Sequence, residues 1–248
     1  MYQARTYRKD MVLFRLASFT VAVGESDLWI AYGPSSADSK ALAVEATRLL
    51  RRLRSEILTY PDPEFLTSFV PLKQSRDGAS PCILGMLRSA RLSGTGPMAS
   101  VAGAIAQEVG SRLKRKFSLD EIVVENGGDL YIDVLKPLPV TLYAGNNTLS
   151  GKISVIVEPK HCPLGVCTSS AKVGHSHSFG QADAVMVAAR DAALADAYAT
   201  AFCNMVKSEA DVERVSRLMH EKEEIVSALV LLDEKLALCG QLEVRGKA

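Results

Sequence analysis

The sequence predicts an α+β protein, because short strands occur in runs, helical segments gather beside those runs, and glycine- and proline-bearing turns separate them. The order hairpin, helix, helix, strands, helix, helix, hairpin makes the two halves roughly similar, although no repeat of fixed period is present. No clean boundary divides the chain, so a single domain over residues 1–248 is expected.

The elements follow in order. Apolar residues alternate at Val12, Phe14 and Leu16, so residues 11–23 read as a strand. Arg5, Arg8 and Lys9 ahead of this stretch invite a signal-peptide reading, but Arg15 and the alternation oppose it. Residues 28–32 form the hairpin partner across a turn at 24–27. Pro34, Ser35, Ser36 and Asp38 then open a helix with Leu42, Leu49, Leu50, Leu53 and Ile57 on one face, stopped by Pro61 and Pro63. Residues 65–80 carry Pro71, Asp77 and Gly78 and read as an irregular connection. A second helix is expected over 99–113, where Ala99, Ala102, Gly103 and Ala106 let a neighbouring strand, helix or ligand approach closely.

Residues 122–124, 130–134, 140–144 and 153–157 read as antiparallel strands, with Asn126, Gly127 and Gly128 as the first turn between them. A long loop over 159–180 precedes a strand at 184–187 and an alanine-rich helix at 192–206. A shorter helix over 210–219 and a hairpin of 228–232 with 236–239 close the pattern, and Gly246 onward is expected to fray.

Composition narrows the function classes. Apolar residues at 48% and charged residues at 23% describe an ordinary globular protein. A formal charge of +1 and 6% aromatic residues give neither the basic field nor the stacking surface that nucleic acid requires. The densest basic run, with Arg48, Arg51, Arg52 and Arg54, reads as a solvated helix face. No apolar run reaches the ~18 residues of a membrane span, so no membrane partner is expected. The five cysteines lack the paired spacing of a zinc site and suit reduced thiols in a cytoplasmic setting. Cys162 and Cys167, five apart in a polar loop, leave a redox or metal role open beside an inert one.

Three segments could carry chemistry. In Glu125-Asn126-Gly127-Gly128-Asp129 the glycines admit positive φ or close backbone approach, and Asn126 and Asp129 offer polar groups to a phosphate or sugar. Asn-Gly is also the signal of a type I′ hairpin turn, and the two readings are compatible. The loop 167–178 concentrates Thr168, Ser169, Ser170, Lys172, His175 and His177, which could hold phosphate oxygens, with a histidine as proton carrier, or could equally be a solvated loop. On the alanine-rich helix, Asp196 and Thr200 are four apart and share a face; a carboxylate and a hydroxyl suit Mg²⁺, while the alternative is a back-bonded threonine. Serine-hydrolase, P-loop and dinucleotide-fold signatures are absent.

Taken in order, E-S-D-L from Glu25, G-P-M-A-S-V-A-G-A-I-A from Gly96, E-N-G-G-D from Glu125, C-T-S-S from Cys167, G-H-S from Gly174 and A-L-A-D-A-Y-A-T-A from Ala193 resemble the ApbE-like superfamily. Its best-known members are FAD:protein FMN transferases, and the likeness is closest to a small uncharacterised cytoplasmic branch loosely labelled thiamine-biosynthesis-related. The resemblance implies an α+β fold with two similar halves related by a pseudo-dyad. It implies an FAD site at Asn126, Gly127, Gly128, Asp129, Thr168, Ser169 and Ser170, and Mg²⁺ at Asp196 and Thr200. Asp129 and His175 become the catalytic candidates.

The chain departs from the transferases at two points. Gly103 is followed by Ala104 where a lysine-glycine pair is usual, and no H-x-x-D-P follows Gly174. Two functions are therefore carried forward. One is an enzyme that binds a flavin, nucleotide or other phosphate ligand with Mg²⁺ and transfers FMN or a related group. The other is a non-catalytic ligand-binding or assembly protein associated with sulfur assimilation. Homodimerisation is a general expectation for soluble enzymes.

Overall fold

The computed structural model describes Arg8 and residues 15–34, 38–73, 78–172 and 179–246 of the chain. The first hairpin joins β1 (Ala17–Val23) to β2 (Ser26–Tyr32) antiparallel. Helix α1 (Ser39–Leu58) begins where the Asp38 side chain accepts from the Lys40 N–H, and it buries the expected face of Leu42, Leu49, Leu50, Leu53 and Ile57.

A helix absent from the sequence reading follows, α2 (Pro81–Ser93). Its signals were present: Ser80 caps the Ile83 N–H, Pro81 occupies the first turn, Gly94 closes the end at φ 76°, and Ile83, Met86, Leu87 and Ala90 form the buried face. Gly85 and the polar Arg88 and Ser89 dilute that periodicity in sequence. A 3-10 turn over Pro97–Ser100 leads into α3 (Val101–Phe117), so the second expected helix starts later and runs longer than its alanines suggested.

Strands β3 (Ile122–Asn126), β4 (Asp129–Asp133), β5 (Leu138–Thr141) and β6 (Ile153–Val157) stand close to their expected places. The long loop over 159–180 is corrected: it contains β7 (Leu164–Ser169). Pro163, Gly165 and the polar Thr168 and Ser169 hid the alternation of Leu164 and Val166. The remainder comprises β8 (Ala184–Ala189), α4 (Ala192–Met205), α5 (Ala210–His220), β9 (Ile225–Leu232), β10 (Lys235–Gly240) and β11 (Glu243–Gly246). Gly246 was expected to fray, but it pairs with Ile153 at the end of β11.

Eight strands form one antiparallel sheet in the order β1-β2-β3-β4-β7-β8-β9-β10, and β11-β6-β5 form a second, smaller sheet. Strand alternation divides the core between the sheet's faces. Leu28, Ile30, Ile122, Val124 and Tyr131 face the helices α1 to α3. Trp29, Ala31, Val123, Leu130 and Ile132 face the side that β5 and β6 cover. Farther along, Val185, Val187, Val230 and Leu232 pack with α4 and α5. The result is helices, large sheet and small sheet in three layers, an α+β architecture as expected.

Two glycines bring α4 against its neighbours. A Cβ on Gly103 of α3 would fall on the Ala192 carbonyl, and one on Gly165 of β7 would fall on the Ala192 backbone. The small-residue face of α3 therefore admits a helix, one of the three alternatives weighed above. This contact places the middle of α4 beside the turn of β3–β4 and the end of β7.

Candidate functional site

The β3–β4 turn is built by its two glycines: Gly127 has φ 71° and Gly128 φ 102°, the left-handed region that L side chains avoid. Ahead of the turn, Glu125 is fully buried, and one of its oxygens accepts the Gly128 N–H at 2.7 Å. The other oxygen meets the Arg8 guanidinium at 2.6 Å, and Arg8 also bonds the Asp27 side chain at 2.9 Å. Asn126 donates from Nδ2 to the Ala102 carbonyl of α3 at 3.2 Å, tying the turn to the start of that helix.

Asp129, the first residue of β4, is buried, and its Oδ1 accepts the Thr168 N–H of β7 at 3.3 Å. Asp196, one turn into α4, is equally buried, and its Oδ2 accepts the Gly103 N–H at 2.9 Å. Burial pushes the Asp129 carboxyl well up, and the charge of Asp196 pushes it further. Burial likewise raises Asp196 to about 7, against the lowering effect of the Gly103 and Ala102 N–H groups. Between them lies Cys167, wholly buried, its thiol raised by burial and by both carboxylates and donating to the Ala192 carbonyl at 3.4 Å. A turn beyond Asp196, Thr200 shares a hydrogen bond with the Ser169 hydroxyl at 3.1 Å.

Asn126, Gly127, Gly128, Asp129, Thr168, Ser169, Asp196 and Thr200 thus come to one junction of the β3–β4 turn, β7, α3 and α4. The Ser170 hydroxyl, just past the end of β7, accepts the Lys172 N–H at 3.0 Å. His175 and His177 lie outside the described residues. Cys167 is corrected from a loop thiol to a strand residue under α4, and no disulfide joins any of the five cysteines. Sequence reading missed the donors at Ala102 and Gly103 and the Arg8–Glu125 support. The small residues of α3 marked the first pair, but nothing in sequence marks a pairing 117 residues apart.

The donor chemistry fits a hard cation. Burial raises both carboxyl groups and the charge of Asp196 raises Asp129 further, and such a pair is relieved by a divalent ion that takes oxygen ligands and keeps several waters. Thr200 offers a further oxygen on the accessible side. Among the described residues no group of three or more His, Cys, Asp and Glu side chains could hold a metal. A shallow depression of about 370 Å³ at the end of α3, lined by Lys114, Arg115 and Tyr131 among others, shares no residue with this junction. Among the described residues no helix is long and apolar enough to cross a membrane.

Comparison with solved structures identifies the architecture. The flavinyl transferase ApbE of Pseudomonas stutzeri, in its apo form, aligns with a TM-score of 0.60 at 17% identity over 90% of this chain and 94% of that one. The flavin transferase ApbE of Vibrio cholerae gives a TM-score of 0.63 at 15% identity over 90% and 96%. At these identities the likeness is one of fold, and it defines an ApbE-like α+β class. The family model described as AbpE bacteria matches residues 10–232, and the chain belongs to that family. Its relatives include the UPF0280 protein of Methanospirillum hungatei JF-1, 44% identical over 172 residues, 68% of this chain and 69% of that protein. The UPF0280 protein of Methanocaldococcus jannaschii is 36% identical over 212 residues, 83% of this chain and 85% of that protein.

Proposed function

We propose that this chain binds a flavin dinucleotide or a related diphosphate ligand with Mg²⁺ at the junction of the β3–β4 turn, β7 and α4. The observation that carries the reading is the buried pair of Asp129 and Asp196 beside the Ser169–Thr200 hydroxyls. Asp196 and Thr200 hold the cation, with Asp129 close by. The turn at Gly127 and Gly128 gives the ligand access to backbone, while Thr168 and Ser169 orient phosphate oxygens. When bound, Mg²⁺ supplies charge neutralisation to the diphosphate. Asp196 is itself oriented by the Gly103 N–H, so its position does not depend on the ligand.

The fold's solved relatives are titled flavin transferases, which supports a flavin ligand for this chain. Catalysis is a separate question. FMN transfer would break the diphosphate bond of FAD, join the FMN phosphate to an acceptor hydroxyl and release AMP. The absence of the lysine-glycine pair at Gly103-Ala104 supports the alternative, a binding or assembly protein without transfer. Incubation with FAD, Mg²⁺ and candidate acceptor peptides, read by AMP release and by the mass of the peptide, separates the two: AMP together with FMN bound covalently to the peptide establishes transfer, AMP with free FMN is hydrolysis, and tight binding without AMP establishes the binder. His175 would be the proton carrier in the first case, so His175→Ala would lower the rate of AMP release and leave FAD affinity unchanged.

A further inference from the structure

In α4 every residue is buried except Thr200, Asn204 and Met205, so the helix meets solvent along one short strip that continues from Asp196. At 1.5 Å per residue, Asn204 lies about 6 Å beyond Thr200 and about 12 Å beyond Asp196 along the helix axis. Asn204 Oδ1 accepts the Phe179 N–H at 2.7 Å, and Lys207 Nζ donates to the Phe179 carbonyl. The backbone of Phe179 is therefore pinned at the far end of the strip. Its ring nevertheless stands in solvent, with the residue 60% exposed, and it meets Phe69, 70% exposed, edge to face at a centroid distance of 5.5 Å.

Phe69 is held from the other side. Its neighbour Ser68 donates to the Val70 carbonyl at 2.7 Å, and the Ser68 carbonyl lies where a Cβ on Gly96 would fall. Gly96 opens the segment that leads into α3, whose Ala102 and Gly103 reach the acidic junction. Two bulky rings are thus presented to water on a backbone that cannot easily withdraw them, together at the far end of one strip. Exposing such rings is unfavourable by roughly 25 cal/mol per Å² of apolar surface, and their fixed placement is what a stacking platform requires.

We infer that Phe69 and Phe179 form the subsite for the planar ring of the ligand whose phosphates lie at Asp196 and Thr200. The separation of about 6 Å between Thr200 and Asn204 suits a pentose or short polyol joining phosphate to ring. Asn204 and Lys207 act as positioning residues by holding Phe179. The inference rests on the proposed function for the phosphate end, while the rings are tested independently of it.

The test titrates the wild type, Phe69→Ala, Phe179→Ala and Phe179→Trp with riboflavin, which carries the ring and no phosphate, and separately with inorganic pyrophosphate in Mg²⁺. Flavin fluorescence should be quenched on binding to the wild type. Each alanine variant should weaken riboflavin about tenfold, the scale of one lost stacking contact, and Phe179→Trp should restore it. Pyrophosphate affinity should be unchanged throughout. A wild type that does not bind riboflavin, or alanine variants that bind it as well as the wild type, would overturn the ring subsite whatever pyrophosphate does. If those variants instead lose self-association, the pair is a docking patch between copies and the inference fails. Failure of pyrophosphate to bind in Mg²⁺ would sink the phosphate reading alone.

Discussion

Asp196 and Asp129 show what can be read at the scale of a residue. The pairing of Asp196 with Thr200 is visible in sequence because a spacing of four puts both on one helical face. The approach of Asp129 is not, since it depends on α4 settling onto β7 through Gly103 and Gly165. Glu125, in sequence only the first residue of the turn segment, is fully buried and carries both Arg8 and the Gly128 N–H. Glu125→Gln would remove one of the two carboxylates that pair with Arg8 and leave Asp27 as the other, and a loss of about 1–3 kcal/mol is expected in urea unfolding at pH 7. At the turn itself, Gly127→Ala must adopt a φ near 71°, at a cost of about 1–2 kcal/mol in the same measurement.

Among the elements, α3 and α4 depend on close approach. Gly103→Ala would push its methyl into the Ala192 carbonyl, which is backbone and cannot rotate away. The helices must separate, lowering stability by about 1–3 kcal/mol and displacing the Gly103 N–H from Asp196; thermal unfolding together with Mg²⁺ affinity reads both effects. Helix α2 had clear end signals but a diluted face, and β7 had an alternation interrupted by glycine and hydroxyl residues. Both were hidden for the same physical reason: packing against neighbours sets these elements more than their own periodicity does.

A second element-scale prediction concerns the loops at the start of β8, beside the end of β7. Asp183 accepts from Asn147 Nδ2 at 2.8 Å and the Asp233 N–H at 2.6 Å, and it pairs with Lys172 at 2.8 Å. Burial acts to raise its pKa, but the hydrogen bonds from Lys172, Asp233 and Asn147 outweigh burial and hold it below the ordinary value. A carboxyl lowered in the folded state contributes stability above its unfolded pKa and loses it as pH falls through the folded one. Asp183→Asn should therefore destabilise the protein at pH 7, and the difference from wild type should shrink as unfolding is repeated toward pH 3. A difference constant with pH would show that the carboxylate charge contributes nothing.

At the scale of the whole molecule, the α+β class was legible from runs of strands with helices beside them, whereas the division into two sheets was not. That division follows from β5 and β6, which pair with each other and not with the large sheet, and from β11, a four-residue strand that adds to β6. Its apolar content is too small to announce a strand in sequence. The inner strands of the large sheet are buried on both faces, and α4 touches both the α3 side and the α5 side of the core. We expect residues 1–248 to behave as one domain, unfolding in a single calorimetric transition; two resolved transitions would contradict this.

The claim on which the functional account turns is that Asp196 holds a cation that in turn holds the ligand. The direct measurement is titration of the purified protein with FAD, followed by flavin fluorescence, with and without Mg²⁺ and repeated on Asp196→Asn. The substitution retains an oxygen to accept the Gly103 N–H and removes only the charge. The account predicts Mg²⁺-dependent binding to the wild type and loss of that dependence in Asp196→Asn, at unchanged thermal stability or above. Equal affinity for FAD with and without Mg²⁺, or an Asp196→Asn protein that binds as the wild type does, would contradict it.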